Sequence, residues 1–146
     1  MKISIGCDHG GYELKEKIKK YLEEKNIEVV DAGCKSTDSV DYPEYGEKAA
    51  RLVADEKVEK GIVVCTTGIG ISIAANKVKG VRCAVCTNTL LAKMCRKHND
   101  ANVLALGAGI LGTNLAYEIV DTFLSTDFEG GRHQRRVDKI MEIETR

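Results

Sequence analysis

Val63-Val64-Cys65-Thr66-Thr67-Gly68-Ile69-Gly70-Ile71-Ser72-Ile73-Ala74-Ala75-Asn76 passes from an apolar run through hydroxyls and two glycines into helix formers. That order reads as a strand, a glycine turn and the start of a helix. Such a turn aims successive backbone N–H groups and the positive end of the helix at one point, which suits an anion or a developing oxyanion. Cys65 stands where strand becomes turn, and a thiol beside a helix N-terminus is in the environment that favours thiolate chemistry near neutral pH. A small buried residue that merely ends a strand has the same signature, so position leaves both roles open. The turn lacks the Gly-Lys-Ser/Thr of a Walker loop, and Ile73 occupies the third glycine position of a G-x-G-x-x-G loop. Thr66, Thr67, Gly68, Ile69, Gly70 and Ser72 therefore offer backbone and hydroxyl donors to a small anionic group rather than to a nucleotide.

The alternation of strand and helix continues outward in both directions. Upstream, Lys2 to Cys7 is a short apolar strand, Asp8-His9-Gly10-Gly11 a turn, and Leu14, Ile18, Tyr21 and Leu22 mark one face of a helix starting near Tyr12. Ile27 to Ala32 is a second strand, followed by a polar loop to Asp41 and a helix opened by Pro43 and running to about Ala54. Gly61 to Cys65 is the third strand. Downstream of the glycine turn come a strand from Val81 to Cys86 and a helix marked by Leu90, Leu91, Met94 and Cys95 that stops at His98-Asn99-Asp100. A strand from Val103 to Leu106 and a helix from Thr113 to Leu124 follow. After Glu129-Gly130-Gly131, a last helix carries Arg132, His133, Arg135 and Arg136, with Val137, Ile140, Met141 and Ile143 as its apolar stripe. Five strands joined by helices predict a doubly wound, Rossmann-like α/β sandwich with a parallel sheet covered on both faces. Ligands in such sheets bind beyond the carboxyl ends of the strands where the winding reverses, so Asp8, His9 and Cys65 are expected to meet there. With 146 residues, 43% of them apolar, residues 1–146 have the size of a single domain with a full core.

Charge narrows the partners. Lys plus Arg equals Asp plus Glu at 22 each, so no net field draws the chain to nucleic acid or an anionic membrane, and any anion site must be local. The apolar run at the N-terminus is too short for a signal peptide, and no stretch could span a bilayer, which predicts a cytoplasmic protein. Six cysteines are then expected as free thiols. Cys83 and Cys86 form a C-x-x-C, but nothing completes a zinc site and the segment reads as a strand. No spacing of ligand-type residues suggests a metal cluster, and no cofactor is expected. Asp8 and His9 can either cap the first helix or bind hydroxyls and move protons. His98 either complements a helix C-terminus or does chemistry. Arg132 and Arg136, four apart, share a helix face and either clamp a phosphate or meet solvent or another subunit. Spacing alone stops at a phosphate-ester site with a thiol in it.

Five blocks in order carry a closer likeness: Gly6-Cys7-Asp8-His9-Gly10-Gly11, Asp41-Tyr42-Pro43, Cys65 to Lys77, His98-Asn99-Asp100-Ala101-Asn102-Val103-Leu104, and Glu129 to Val137. With these the chain resembles ribose-5-phosphate isomerase type B, a family that includes galactose-6-phosphate isomerase subunits and enzymes of allose 6-phosphate. The resemblance implies reversible conversion of D-ribose 5-phosphate to D-ribulose 5-phosphate, in the non-oxidative pentose phosphate pathway, through an enediolate and without metal or cofactor. It implies Cys65 as the base at C2, Thr66 to Gly70 as donors to the enediolate with Thr67 bonding it, and His98, assisted by Asp8, as the ring opener. By the same likeness Asp8, Tyr42 and Asn99 hold sugar hydroxyls, and His9, Arg132 and Arg136 hold the phosphate. Family members are dimers or dimers of dimers that take the equivalents of His98 and Asn99 from the neighbouring subunit, with the terminal helix in contact. The alternatives are a six-carbon sugar phosphate as substrate and a phosphosugar-binding module without catalysis. One departure stands out: several relatives have an arginine after the fifth strand where this chain has Gly109, so a phosphate cation is missing or is replaced by a group such as Arg135.

Overall fold

A computed structural model describes residues 1–146. The strands are β1 (Lys2–Cys7), β2 (Glu28–Asp31), β3 (Lys60–Cys65), β4 (Cys83–Val85) and β5 (Val103–Gly107), and the helices are α1 (Tyr12–Glu23), α2 (Tyr42–Ala54), α3 (Ile69–Asn76), α4 (Thr89–Asn99), α5 (Thr113–Ser125) and α6 (Arg132–Ile143). All strand pairs are parallel, in the order β2-β1-β3-β5-β4. The chain winds from β1 outward to β2, returns to β3 on the other side of β1, and so reverses between β1 and β3. The crevice of a doubly wound sheet opens at that point.

Period-two alternation divides the central strands between two cores. Ile3, Ile5, Ile62, Val64, Leu104 and Leu106 pack in one buried cluster with residues of α1, α4 and α5. Val63, Cys65, Val103 and Ala105 pack in the other with residues of α2 and α3. Both faces are dry, which explains why β3 and β5 read as continuous apolar runs. Strand β4 is shorter than the expected Val81 to Cys86. Val81 N–H turns back to Val78 O at 3.2 Å, and Arg82 N–H donates to the Asn102 side chain at 2.7 Å, so ladder pairing starts only at Cys83. The stripe predicted on α6 is only partly used: Val137 is buried, whereas Ile140 and Ile143 remain 45% and 60% exposed.

At the β1–β2 edge a buried lysine meets partly exposed carboxylates. Lys15, 1% exposed, donates to Asp31 at 2.9 Å, Glu16 at 2.5 Å and Cys34 O at 3.3 Å. Burial opposes charge on Asp31, but the bonds from Lys15, Gly33 N–H and Lys19 outweigh it and hold the carboxyl below its ordinary value. A lowered carboxyl contributes stability that is present above its unfolded pKa and lost as pH falls through the folded one. Because the carboxylate is partly open to solvent, Asp31→Asn is expected to cost no more than about 1 kcal/mol at neutral pH. In urea titrations the gap from wild type should close as the pH falls below the ordinary carboxyl range; a gap of constant size would contradict this account.

Candidate active site

The end of β3 and the turn after it form the centre of the site. Gly68 adopts φ +81°, a left-handed conformation in which a Cβ would lie 2.9 Å from the carbonyl carbon of Leu106. Only glycine takes that conformation here without strain. The turn it makes brings Gly68 N–H to 3.1 Å from Cys65 Sγ. A donor aimed at sulfur matches an anionic acceptor. Thr66 and Thr67 are exposed, and Thr67 Oγ1 accepts Ile69 N–H at 3.2 Å, which leaves its hydroxyl hydrogen free to donate. Ser72, expected among the donors, is instead buried and gives its hydroxyl hydrogen to Ile69 O at 2.7 Å. At this point of α3 it faces inward, so it steadies the first turn and only its acceptor lone pairs remain.

The walls come from the neighbouring elements. The turn after β1 packs on Thr66, since a Cβ on Gly10 would lie 2.3 Å from Thr66 Oγ1. Asp8 is 7% exposed, and its Oδ1 accepts Gly11 N–H at 3.0 Å. Gly11 itself is the N-cap residue of α1, so Asp8 closes the turn rather than capping the helix. His9 Nδ1 accepts Val40 N–H at 3.1 Å. A neutral ring then carries its proton on Nε2, which can donate to an anion. Tyr42 lies over Gly70, where a Cβ would come within 2.7 Å of its ring. Gly109 N–H donates to Thr66 O at 2.8 Å, and a side chain at Gly109 would press on Thr66 Cγ2 at 3.0 Å.

The other expected residues lie elsewhere. Helix α4 starts beyond the carboxyl end of β4 and runs back along the sheet, so its last residues reach the opposite edge. Arg82, just before β4, donates to Asn99 O at 3.0 Å and Asp100 O at 2.8 Å, which fixes His98 and Asn99 at the amino ends of the strands. The N-terminus of α6 joins them. His133 stacks on His98 with ring centroids 4.4 Å apart and 14° between planes, and Glu129 N–H donates to Lys97 O at 3.2 Å. Arg132, Arg135 and Arg136 are exposed on this helix. Five or six strand residues at about 3.3 Å each separate this group from Cys65 by roughly 15 Å or more. One chain thus holds Asp8, His9, Tyr42 and the Cys65 turn at one edge, and His98, Asn99, Arg132 and Arg136 at the other.

Two observations lie outside the sequence reading. His98, Glu129 and His133 place ligand-type atoms within 4.8 Å of one another, a cluster that no local spacing announces. Imidazole lone pairs lie in the ring planes, and two stacked, nearly parallel rings cannot both aim at one ion, so we derive no metal step from it. The remaining thiols are also sorted. Burial pushes Cys7 and Cys83 up to about 12. In the Cys86–Cys95 pair, 3.9 Å between sulfurs, the contact raises Cys86 and lowers Cys95. Cys86 thus contacts Cys95 rather than Cys83, and all six cysteines are free thiols.

This sheet, its reversal point and the thiol turn place the chain among known proteins. Residues 3–140 match the family model described as Ribose/Galactose Isomerase, and the chain belongs to that family. It is 49% identical over 145 residues to ribose-5-phosphate isomerase B of Escherichia coli (strain K12), covering 99% of this chain and 97% of the relative. The ribose-5-phosphate isomerase B structure from Clostridium thermocellum superposes with a TM-score of 0.98 at 56% identity, covering 99% of this chain and 98% of that one. The enzyme from Mycoplasma genitalium with bound ribulose-5-phosphate gives a TM-score of 0.93 at 40% identity, covering 99% and 96%.

Proposed function

We infer that this chain is a ribose-5-phosphate isomerase, interconverting D-ribose 5-phosphate and D-ribulose 5-phosphate as one domain over residues 1–146. The observation that carries this reading is the Cys65 turn, with Gly68 N–H on the sulfur and the Thr67 hydroxyl free to donate, in a chain 49% identical to a ribose-5-phosphate isomerase B. The Cys65 thiolate takes the C2 proton of the open aldose. The C–H electron pair forms the C1–C2 double bond, and charge collects on the C1 oxygen, where Thr67 and the N–H groups of Thr66 to Gly70 receive it. Return of the proton to C1, as the O2 proton passes to O1, gives the ketose. No step calls on a metal or cofactor.

Ring opening precedes this. His98 takes the anomeric hydroxyl proton and returns one to the ring oxygen, with Asp8 assisting. Asp8, Tyr42 and Asn99 hold hydroxyls, and His9, Arg132 and Arg136 hold the phosphate, whose binding fixes C2 against the base. Ser72 supports the turn from behind. The two edges of one chain cannot serve one substrate, so a complete site combines the Cys65 edge of one copy with the His98 edge of another. We therefore propose a homodimer, or a dimer of dimers, with α6 in the contact; exposed Ile140 and Ile143 support it. No helix is long and apolar enough to cross a membrane, and six free thiols fit a reducing compartment, so we place the enzyme in the cytoplasm.

The test is kcat/KM of this one chain for ribose 5-phosphate, allose 6-phosphate and galactose 6-phosphate. Ribose 5-phosphate is expected to lead. A clear preference for either six-carbon substrate would reassign the specificity, and binding without exchange of the C2 proton with solvent would make the chain a binding module.

A further inference from the structure

The stacked imidazoles at the α4–α6 junction have no role in the steps above beyond His98 itself. His133 is 7% exposed, although it sits on a helix whose neighbouring positions Arg132, Gln134, Arg135 and Arg136 all face solvent. Such burial of a polar ring needs a reason, and the geometry supplies one. Gly130 and Gly131, at φ +66° and +55°, make the turn that swings the start of α6 under the end of α4. Glu129 then clips the two helices through its N–H to Lys97 O, and its carboxylate lies 3.6 Å from His133 Nε2. The ring of His133 is left flat against His98 at 4.4 Å.

We propose that His133 is a positioning residue for ring opening: its ring face, oriented by Glu129, fixes the plane of His98 and stabilises the imidazolium that His98 becomes while it carries the substrate's proton. A π face parallel to a cation attracts it, provided that the face itself is uncharged. The surroundings keep it so. Burial, followed by His98 and Arg132, lowers the His133 imidazole below its ordinary value, and Arg136 adds to this against the opposing pull of Glu129. His133 therefore presents an uncharged ring face to His98. The inference rests on the ring-opening role given to His98 above.

The experiment separates the two. Ribose 5-phosphate reaches the enzyme mostly as closed rings, whereas ribulose 5-phosphate cannot close through its phosphorylated C5 oxygen. Turnover of the aldose therefore includes ring opening, while exchange of the C1 proton of ribulose 5-phosphate with D2O, followed by NMR, needs only the Cys65 chemistry. In His133→Leu, kcat for ribose 5-phosphate is expected to fall about tenfold with KM and C1 exchange within about twofold of wild type. His133→Phe, which restores a flat ring, should recover most of the loss. Equal falls in turnover and exchange, a rise in KM in place of the fall in kcat, or no rescue by phenylalanine would each overturn the proposal. His98→Asn run beside them tests the underlying reading: if it leaves turnover and exchange in their wild-type ratio, His98 is not the ring opener. If it shifts that ratio and His133→Leu does not, only the positioning role fails. Should His133→Leu not fold by circular dichroism, His133→Gln carries the same comparison.

Discussion

Cys65→Ala should reduce kcat/KM for ribose 5-phosphate by about a thousandfold or more, with an equal loss in the reverse direction and no measurable exchange of the C1 or C2 proton with solvent. A positioned general base contributes about 10²–10⁴ in rate, and in the proposed mechanism the same sulfur both removes the proton and returns it. The substitution should leave binding nearly intact, because the proposed hydroxyl and phosphate contacts lie on other residues. The fold should also survive. Cys65 is 5% exposed at the end of β3, and alanine keeps the backbone and loses one sulfur's worth of packing. Isothermal titration with ribulose 5-phosphate beside NMR exchange would show the separation. Residual exchange above about one tenth of wild type would mean that another group takes the proton.

The second large effect concerns two inactive proteins. Cys65→Ala lacks the proposed base, and the double variant Arg132→Ala/Arg136→Ala lacks the proposed phosphate grip. Unfolded together and refolded as an equal mixture, they should recover about a quarter of wild-type activity, because half of the random dimers are hybrids and each hybrid has one of its two sites intact. Neither parent should exceed a few per cent of wild type alone. This outcome requires that the base and the arginines of one site come from different copies. No recovery, with hybrids verified by native mass, would mean that both sets serve the same chain's site, against the separation of roughly 15 Å inferred from the strands.

The architecture was legible because each strand is a short apolar run and each helix has a distinct face. The reversal between β1 and β3 follows from the strand-helix order and appears as expected. The β4 boundary was not legible: Val81 and Arg82 look like strand residues, and their hydrogen bonds to Val78 and Asn102 are tertiary facts. In the candidate site, the Cys65 turn could be recognised from its glycines, while the direction of the Ser72 side chain could not, since it depends on where α3 settles. That α4 runs antiparallel to β4 was already implied by the winding, and with it the displacement of His98 from Cys65. The stacking of His133 on His98 had no local sign. Its partner lies 35 positions away in the chain, and no periodicity connects a residue near the end of one helix to one near the start of another.

The proposed division of the site between the two edges of the sheet has a further consequence for how the enzyme answers to its own abundance. If every catalytic centre needs two chains, as proposed, a lone chain is idle and mass action governs the fraction at work. Above the dissociation constant of the pair, activity is proportional to the amount of protein. Below it, activity falls with the square of that amount, and sugar phosphate that bridges two copies draws them together and raises the active fraction.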